Sequence, residues 1–302
     1  MSLMVAIPLA LAAAVAYGGS TAVEHSAVHR PAADPEATAT TRLLALLRSP
    51  RWLLGMAGDG VGLLLQIMAL ATGPVVLVQP ILILALPVSL PIAWALGGPR
   101  PRASDYRHSA VIVLALGAFF ALIGDPGPPD RVGATPVLVA AAAVVGLGLG
   151  LLAAAQTRLR RCPGPRAAVI GGVAGAWFGL VAVLMDCVAS AWSDGGLAAI
   201  GQARGWVPLA ILAVVGAASI ALTQVAFQIG ALEASFPANA VADPVTAIAL
   251  GALLLHEDVP VGAGRIAAYA VCLVVIVHSM ARLARPRPGA LPLPPTSRVI
   301  SG

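Results

Sequence analysis

Lysine is absent from this 302-residue chain: apart from five histidines its basic residues are all arginine, and charged side chains make up only 10% of it. So little charge excludes an ordinary soluble domain of this length. The missing lysine, beside abundant Ala, Gly, Pro and Val, reads as a coding bias toward GC rather than as chemistry. Cysteine is scarce as well. Cys162, Cys187 and Cys272 stand apart without paired spacing, which excludes a disulfide framework and a thiolate metal site. No His/Asp or Ser/His/Asp cluster lies near one interface, so a lipid-processing enzyme is not expected, and no cofactor is called for. No strand precedes the glycines at Gly146, Gly148 and Gly150 or at Gly171, Gly172, Gly175 and Gly179, which excludes a phosphate loop and leaves helix packing.

What the chain does have is apolar length: 59% hydrophobic residues and a mean hydropathy of +0.92. A bilayer core takes about 20 apolar residues per helix. The expected fold is an all-α polytopic membrane protein with about nine spans, at 3–28, 52–72, 74–97, 108–124, 134–156, 167–192, 207–230, 236–255 and 264–284. The first run lacks the basic start of a signal peptide and is read as a retained span. A net charge of +5 and a pI near 9.9 would point to nucleic acid in a soluble protein. Here the arginines sit between spans, so they report orientation instead and no nucleic-acid partner is expected. Arg30, Arg42, Arg48 and Arg51 follow the first span, Arg100, Arg102 and Arg107 the third, Arg158, Arg160, Arg161 and Arg166 the fifth, and Arg282, Arg285 and Arg287 the ninth. Alternate connections are arginine-poor, so the N-terminus is expected outside and the C-terminus in the cytoplasm, in the inner (plasma) membrane. Leu43, Leu44, Leu46 and Leu47 are read as lying along the membrane surface, and 285–302 as a disordered tail.

A phrase repeats across this pattern. Gln66-Ile67-Met68-Ala69-Leu70 returns as Gln228-Ile229-Gly230-Ala231-Leu232, each time followed by a proline-bearing apolar run, Val78-Gln79-Pro80 in one and Ala242-Asp243-Pro244 in the other. Tyr17-Gly18 followed by Glu24 is echoed by Phe178-Gly179 followed by Asp186. Spans one to four then match spans six to nine with opposite direction, which makes residues 1–124 and 134–284 two inverted transmembrane repeats, the helix at 134–156 being an extra one. On these motifs the chain resembles the drug/metabolite transporter superfamily with its facing EamA-type repeats. The features are the Ala-Leu helix endings, the proline helices after them, and Glu257 in Leu255-His256-Glu257. Trp52-Leu53-Leu54-Gly55 and Pro74 to Pro80 resemble the nine-span magnesium-transporter-like branch, the NIPA-type proteins. In two respects the chain departs from the superfamily: the first half has one helix fewer, and Gly97-Gly98 stand where the first half's acid would fall.

Polar residues inside spans need a reason, because an ionised side chain in hydrocarbon costs at least a few kcal/mol. Asp59 and Gln66 share a face of span two. Asn239 and Asp243 are one turn apart, directly before Pro244, which frees a carbonyl of the preceding turn; Gln79-Pro80 repeats that arrangement. These residues, with Asp186 and the amide pair Gln224 and Gln228, form the expected substrate site. Asp186 reads equally well as a protonated structural acid, and the glutamine pair as helix glue. Glu24, His25 and His29 offer two imidazoles a turn apart but no third ligand, so a metal site stays undefined. Glu257 and Asp258 are expected at the solvated outer interface. The expected function is a secondary carrier for a small metabolite or ion. Alternatives are a divalent-cation transporter, magnesium above all, and a non-transporting assembly protein. The expected partners are that substrate and the lipid bilayer, and a homodimer is compatible with the reading.

Overall fold

The computed structural model describes residues 3–28, 49–124, 126–127, 130–229 and 232–283. Among them the chain is helical throughout: α1 (Leu3–Val28), α2 (Pro50–Thr72), α3 (Val75–Leu82), α4 (Ala85–Ala95), α5 (Ala103–Ile123), α6 (Ala134–Arg158), α7 (Pro163–Ile200), α8 (Ala203–Ile229), α9 (Leu232–Leu254) and α10 (Ala263–Leu283). Helices satisfy their own backbone groups, which is what a segment surrounded by hydrocarbon requires. Large apolar side chains point away from the protein, as with Leu114 at 72% and Val214 at 71% exposure. This is a multi-pass helical membrane protein. Eight segments are long and apolar enough to cross a bilayer, α3 and α4 counting as one, whereas the apolar part of α9, Ala238–Leu254, is shorter. The eighth expected span, at 236–255, therefore falls below that length among the described residues.

Local chemistry places the helix ends. Ser49 caps α2 by accepting from the Trp52 N–H, and Pro50 supplies a first residue that needs no donor. Arg102 N donates to Asp105 Oδ2 at 2.9 Å, opening α5 with an acid in its first turn. The expected third span is broken between α3 and α4, where Pro80 and Pro87 remove donors and Ile83 and Leu84 turn tightly onto Pro80 O and Ile81 O. Gly195 and Gly196 interrupt α7. The latter, at φ 57° and ψ −139°, holds a conformation open to glycine.

At the centre is α7, with 67% of its most apolar stretch buried, against 17–22% for α5, α6, α8 and α10. It carries α8 and α9 along its length and also touches α2, α3 and α6. A second packing unit joins α1 to α2, α3 and α4. The two are joined where α5 lies on α10 and α3 on α9. Both of these pairs run antiparallel. The Tyr269 hydroxyl near the start of α10 donates to Leu122 O near the end of α5, while His108 and His278 meet at the other end with ring centroids 6.2 Å apart. Likewise Val76, opening α3, abuts Gly251 near the end of α9.

Successive helices thus alternate in direction. One end of the bundle gathers Asp130, Arg131, Asp194, Arg204, His256 and Glu257 and is called the acidic end below; the helix ends opposite carry Arg100, Arg102, Arg107, Arg158, Arg160, Arg161 and Arg166. At the acidic end, Asp130 N donates to Leu255 O at 2.8 Å and Asp258 N to Pro126 O at 2.9 Å, tying the loop after α5 to the one after α9.

Candidate functional site

Two helices meet backbone to backbone at the centre of the protein. Gly171, Gly175 and Gly179 recur every fourth residue on α7, and Ser235, Asn239 and Asp243 recur with the same period on α9. A Cβ on any of the three glycines would overlap the carbonyl oxygen of its partner on α9. Only glycine allows this approach, as in other close transmembrane helix pairs. The paired numbers rise together, so α7 and α9 are parallel. Their seam leads from the arginine-rich end toward the acidic end.

The seam fixes the two polar residues before Pro244. Asn239 Nδ2 reaches α8 and donates to Thr223 Oγ1 at 3.2 Å, and that hydroxyl donates onward to Ser219 O at 2.9 Å. Asp243 Oδ1 is buried with no hydrogen-bond partner among the described residues, and so is Gln79 Nε2 on α3. Pro80 and Pro244 also free the carbonyls of Val76 and Ala240, four residues before each. Ile83 and Leu84 at the end of α3 pack around the same apolar cluster as Ala240, so the antiparallel α3–α9 contact spans the stretch holding Gln79 and Asp243. Buried polar atoms normally find partners. Two left over on facing, proline-bearing helices are what a polar ligand would use.

The other expected residues lie elsewhere. Gln66 is buried in the α1–α2 contact, where its Oε1 accepts from the Tyr17 hydroxyl at 2.8 Å. The Tyr17 ring lies over Gly62, and the Ser20 hydroxyl over Gly58. Asp59 is half-buried on the same helix. Gln224 is exposed on α8, and it is the neighbouring Thr223 that meets Asn239. The side chains of Gln228, Glu24 and His25, the residue His29, the leucines of 43–47 and the tail 285–302 lie outside the described residues.

Near the acidic end the seam closes on two carboxyl groups. Asp186 on α7 is 1% exposed, and its Oδ1 has no hydrogen-bond partner among the described residues. Glu257 lies within electrostatic reach of it. The expectation that Glu257 sits in solvent at the interface is not met: it is 3% exposed. His256 takes a left-handed conformation (φ 51°) and folds the chain back, so that Glu257 N bonds Gly251 O at 3.0 Å and the carboxylate lies across Gly251. From there Oε1 accepts from Val75 N at 2.7 Å and Oε2 from Val76 N at 2.9 Å. A residue 182 positions away thus caps α3 and satisfies donors that the helix leaves open. Burial raises the Glu257 carboxyl above the usual carboxylate range, while the two N–H bonds pull it back down.

A small cavity opens beside this pair. Arg131, Asp130, Asp194 and Arg204 border it, Ser190 lines it, and the buried Asp186 and Cys187 lie deeper. Asp194 holds both guanidinium groups, with Arg131 at 2.6 Å and Arg204 at 3.3 Å.

An uncharacterized protein of Corynebacterium glutamicum is 31% identical over 290 residues, covering 93% of this chain and 95% of that protein. The chain belongs to that protein's family. No family model matches it, and no solved structure matches it.

Sequence reasoning missed Tyr17, Thr223 and the capping role of Glu257. Tyr17 had been visible as half of the aromatic-glycine pair. Thr223 carried no such signal, because a lone threonine in an apolar helix is common.

Proposed function

We propose that the protein is a secondary carrier that moves a small metabolite or ion by alternating access, built from two inverted repeats of the drug/metabolite transporter kind. The observation that carries the reading is the α3–α9 pair. Two proline-bearing helices run antiparallel and each leaves a polar side-chain atom, Gln79 Nε2 or Asp243 Oδ1, buried without a hydrogen-bond partner among the described residues. Discontinuous helices with freed carbonyls near the middle of the bundle are how such carriers hold a substrate.

The packing pattern supports the repeat. Contacts of α1 with α2 and with α3–α4 are matched by those of α7 with α8 and α9, while α5 on α10 and α3 on α9 pair an element with its own counterpart. Gly18 meets Ala85 O as Gly179 meets Ala247 N, at positions that the repeated phrase makes equivalent. On this reading α9 is the eighth of nine spans, α6 stands outside the repeat, and the arginine-rich end faces the cytoplasm with the C-terminus.

The test uses proteoliposomes incubated with an isotope-labelled metabolite extract, with magnesium as a separate arm, read by mass spectrometry. At least one label should accumulate above empty vesicles, and Asp243→Asn, which keeps shape and removes charge, should lower that accumulation about tenfold or more. Accumulation unchanged by Asp243→Asn would remove this acid from the site. No accumulation of any label, with a cysteine at position 79 or 240 labelled at rates the extract does not alter, would overturn the carrier reading.

A further inference from the structure

We infer that Asp186 is a proton-binding site, reached by water from the acidic end of the bundle, whose occupancy opens and closes the α7–α9 seam. The inference deepens the carrier reading by making the proton its coupled ion, and it rests on that reading for the coupling alone.

The geometry isolates Asp186. Its Oδ1 is buried without a hydrogen-bond partner among the described residues, and the two guanidinium groups bordering the cavity are already bound to Asp194. Among the described residues no cation therefore compensates a negative Asp186. An unpaired buried charge is far more costly than a neutral acid, so the protonated form suits this closed arrangement. The cavity supplies a route for exchange. Asp186 lies at its inner end, Ser190 stands one turn along the same helix, and the border is electrically balanced, with Asp130 and Asp194 against Arg131 and Arg204. A border of no net charge does not concentrate metal cations.

The neighbour across the seam selects a proton over a metal ion. Both oxygens of Glu257 accept N–H···O hydrogen bonds from α3, an arrangement that fits its ionised form and commits one lone pair of each oxygen to the backbone. A hard divalent ion takes six or so oxygen ligands, and one unpartnered carboxyl oxygen does not provide them. A proton needs only that one.

The same neighbour makes the site a switch. Glu257 holds the end of α9 against the start of α3, while Asp186 is on α7. When Asp186 is protonated, the seam closes without opposing charges. On release the O–H bond breaks, the proton passes to water in the cavity, and the bonding electrons remain on the carboxylate. Two negative charges then face each other across the end of the seam and favour its separation. Asp243 lies further along the same seam, so a substrate there and a proton at Asp186 act on one pair of helices.

The test reads protonation without requiring transport. The native chain in liposomes is treated with dicyclohexylcarbodiimide, which modifies protonated carboxyl groups in apolar surroundings, and modified peptides are quantified by mass spectrometry. Modification of Asp186 should fall across a series of rising pH, by about tenfold for each unit past its midpoint. Glu257→Gln removes the neighbouring charge and should move that fall to lower pH. Absent or pH-independent modification of the native chain overturns the inference, as does a profile unmoved by Glu257→Gln. Should that variant fail to fold, the native profile decides alone. Transport without Asp186 modification would sink the proton site and leave the carrier standing, whereas pH-dependent modification without transport would support the site and sink the carrier.

Discussion

Replacing Gly175 with alanine puts a methyl group against the main chain of Asn239. The added carbon would overlap the Asn239 carbonyl oxygen and stand 2.9 Å from both its carbonyl carbon and its Cα. Comfortable contact between carbons begins near about 3.5 Å, so α9 must retreat by about half an ångström or more. No side chain can rotate away to absorb this, because the obstructing atoms are backbone. Overpacking of this kind costs about 1–3 kcal/mol. Alanine also gains about 1 kcal/mol over glycine in helix propensity, which partly hides the effect. Gly150 on α6 supplies the control, since a Cβ there meets nothing within 4 Å. Gly150→Ala keeps the propensity gain and lacks the clash, so the difference between the variants isolates the seam at about 1–3 kcal/mol, or about five- to hundredfold in the unfolding equilibrium. Reversible unfolding in mixed detergent–dodecyl sulfate micelles measures both. Equal stability of Gly175→Ala and Gly150→Ala would refute the close seam and the glycine argument with it.

Three further outcomes follow from single contacts. Tyr17→Phe leaves the buried Gln66 Oε1 without its donor and should destabilise by about 1–3 kcal/mol in the same unfolding assay, with no loss if the α1–α2 contact is incidental. Glu257→Ala strips two buried N–H groups of α3 of their acceptor and should destabilise by about 2–5 kcal/mol, a loss that exposed acids such as Asp258 should not share. Because burial holds the Glu257 carboxyl above its ordinary value, the folded chain binds that proton more tightly than the unfolded one; this contribution to stability is therefore greatest at low pH and declines as pH rises from the ordinary carboxylate range through the folded value, a slope that Glu257→Gln should abolish. Finally, reporters placed after Arg285 and near Ala37 should register the cytoplasm and one at Pro128 the outside; an external C-terminus would reverse the orientation.

Much of the fold was legible because hydrocarbon is a severe solvent. Apolar length alone located the helices to within a few residues for most spans, and prolines marked the α3–α4 break. Three features escaped. The start of α7 and its run past residue 192 depend on Pro163 and on a glycine pair at Gly195-Gly196, whose unusual conformation no composition announces. The seam was only half visible: glycines at 171, 175 and 179 indicated close packing, but their partners on α9 are backbone atoms, which carry no sequence signature. Glu257 was misplaced because an acid just past a helix end normally meets water. What drew it inward was a set of donors 182 residues earlier. Of the expected site residues, Asn239 and Asp243 share the seam and Gln79 lies on the helix packed against it. Gln66 went instead to Tyr17, a contact that spacing within α2 could not foretell.

The Glu257 cap also makes the two halves unequal. Under the proposed inverted repeat, α3 and α9 are counterparts, and among the described residues it is α3 whose N-terminus is held by a carboxylate from the other half. The position that would return the favour to α9 falls at Gly97-Gly98, which offer no side chain, and Gly97 lies in the left-handed region at φ 93°. Helix α3 is therefore anchored to the end of α9 at the acidic end through two charge-assisted hydrogen bonds, while no equivalent tie stands at the arginine-rich end among the described residues. Alternating access needs one end to separate while the other stays joined. A clamp at the acidic end that Gly97-Gly98 do not match gives the two openings different energies, and at the clamped end the barrier contains the breaking of two buried N–H···O hydrogen bonds. Neutralising Glu257 should then favour separation of α3 from α9 at the acidic end, so that a cysteine at position 79 becomes easier to label from that side while one at position 240 becomes harder to reach from the other. Equal changes at both positions would mean that the clamp holds the fold together without biasing its two openings.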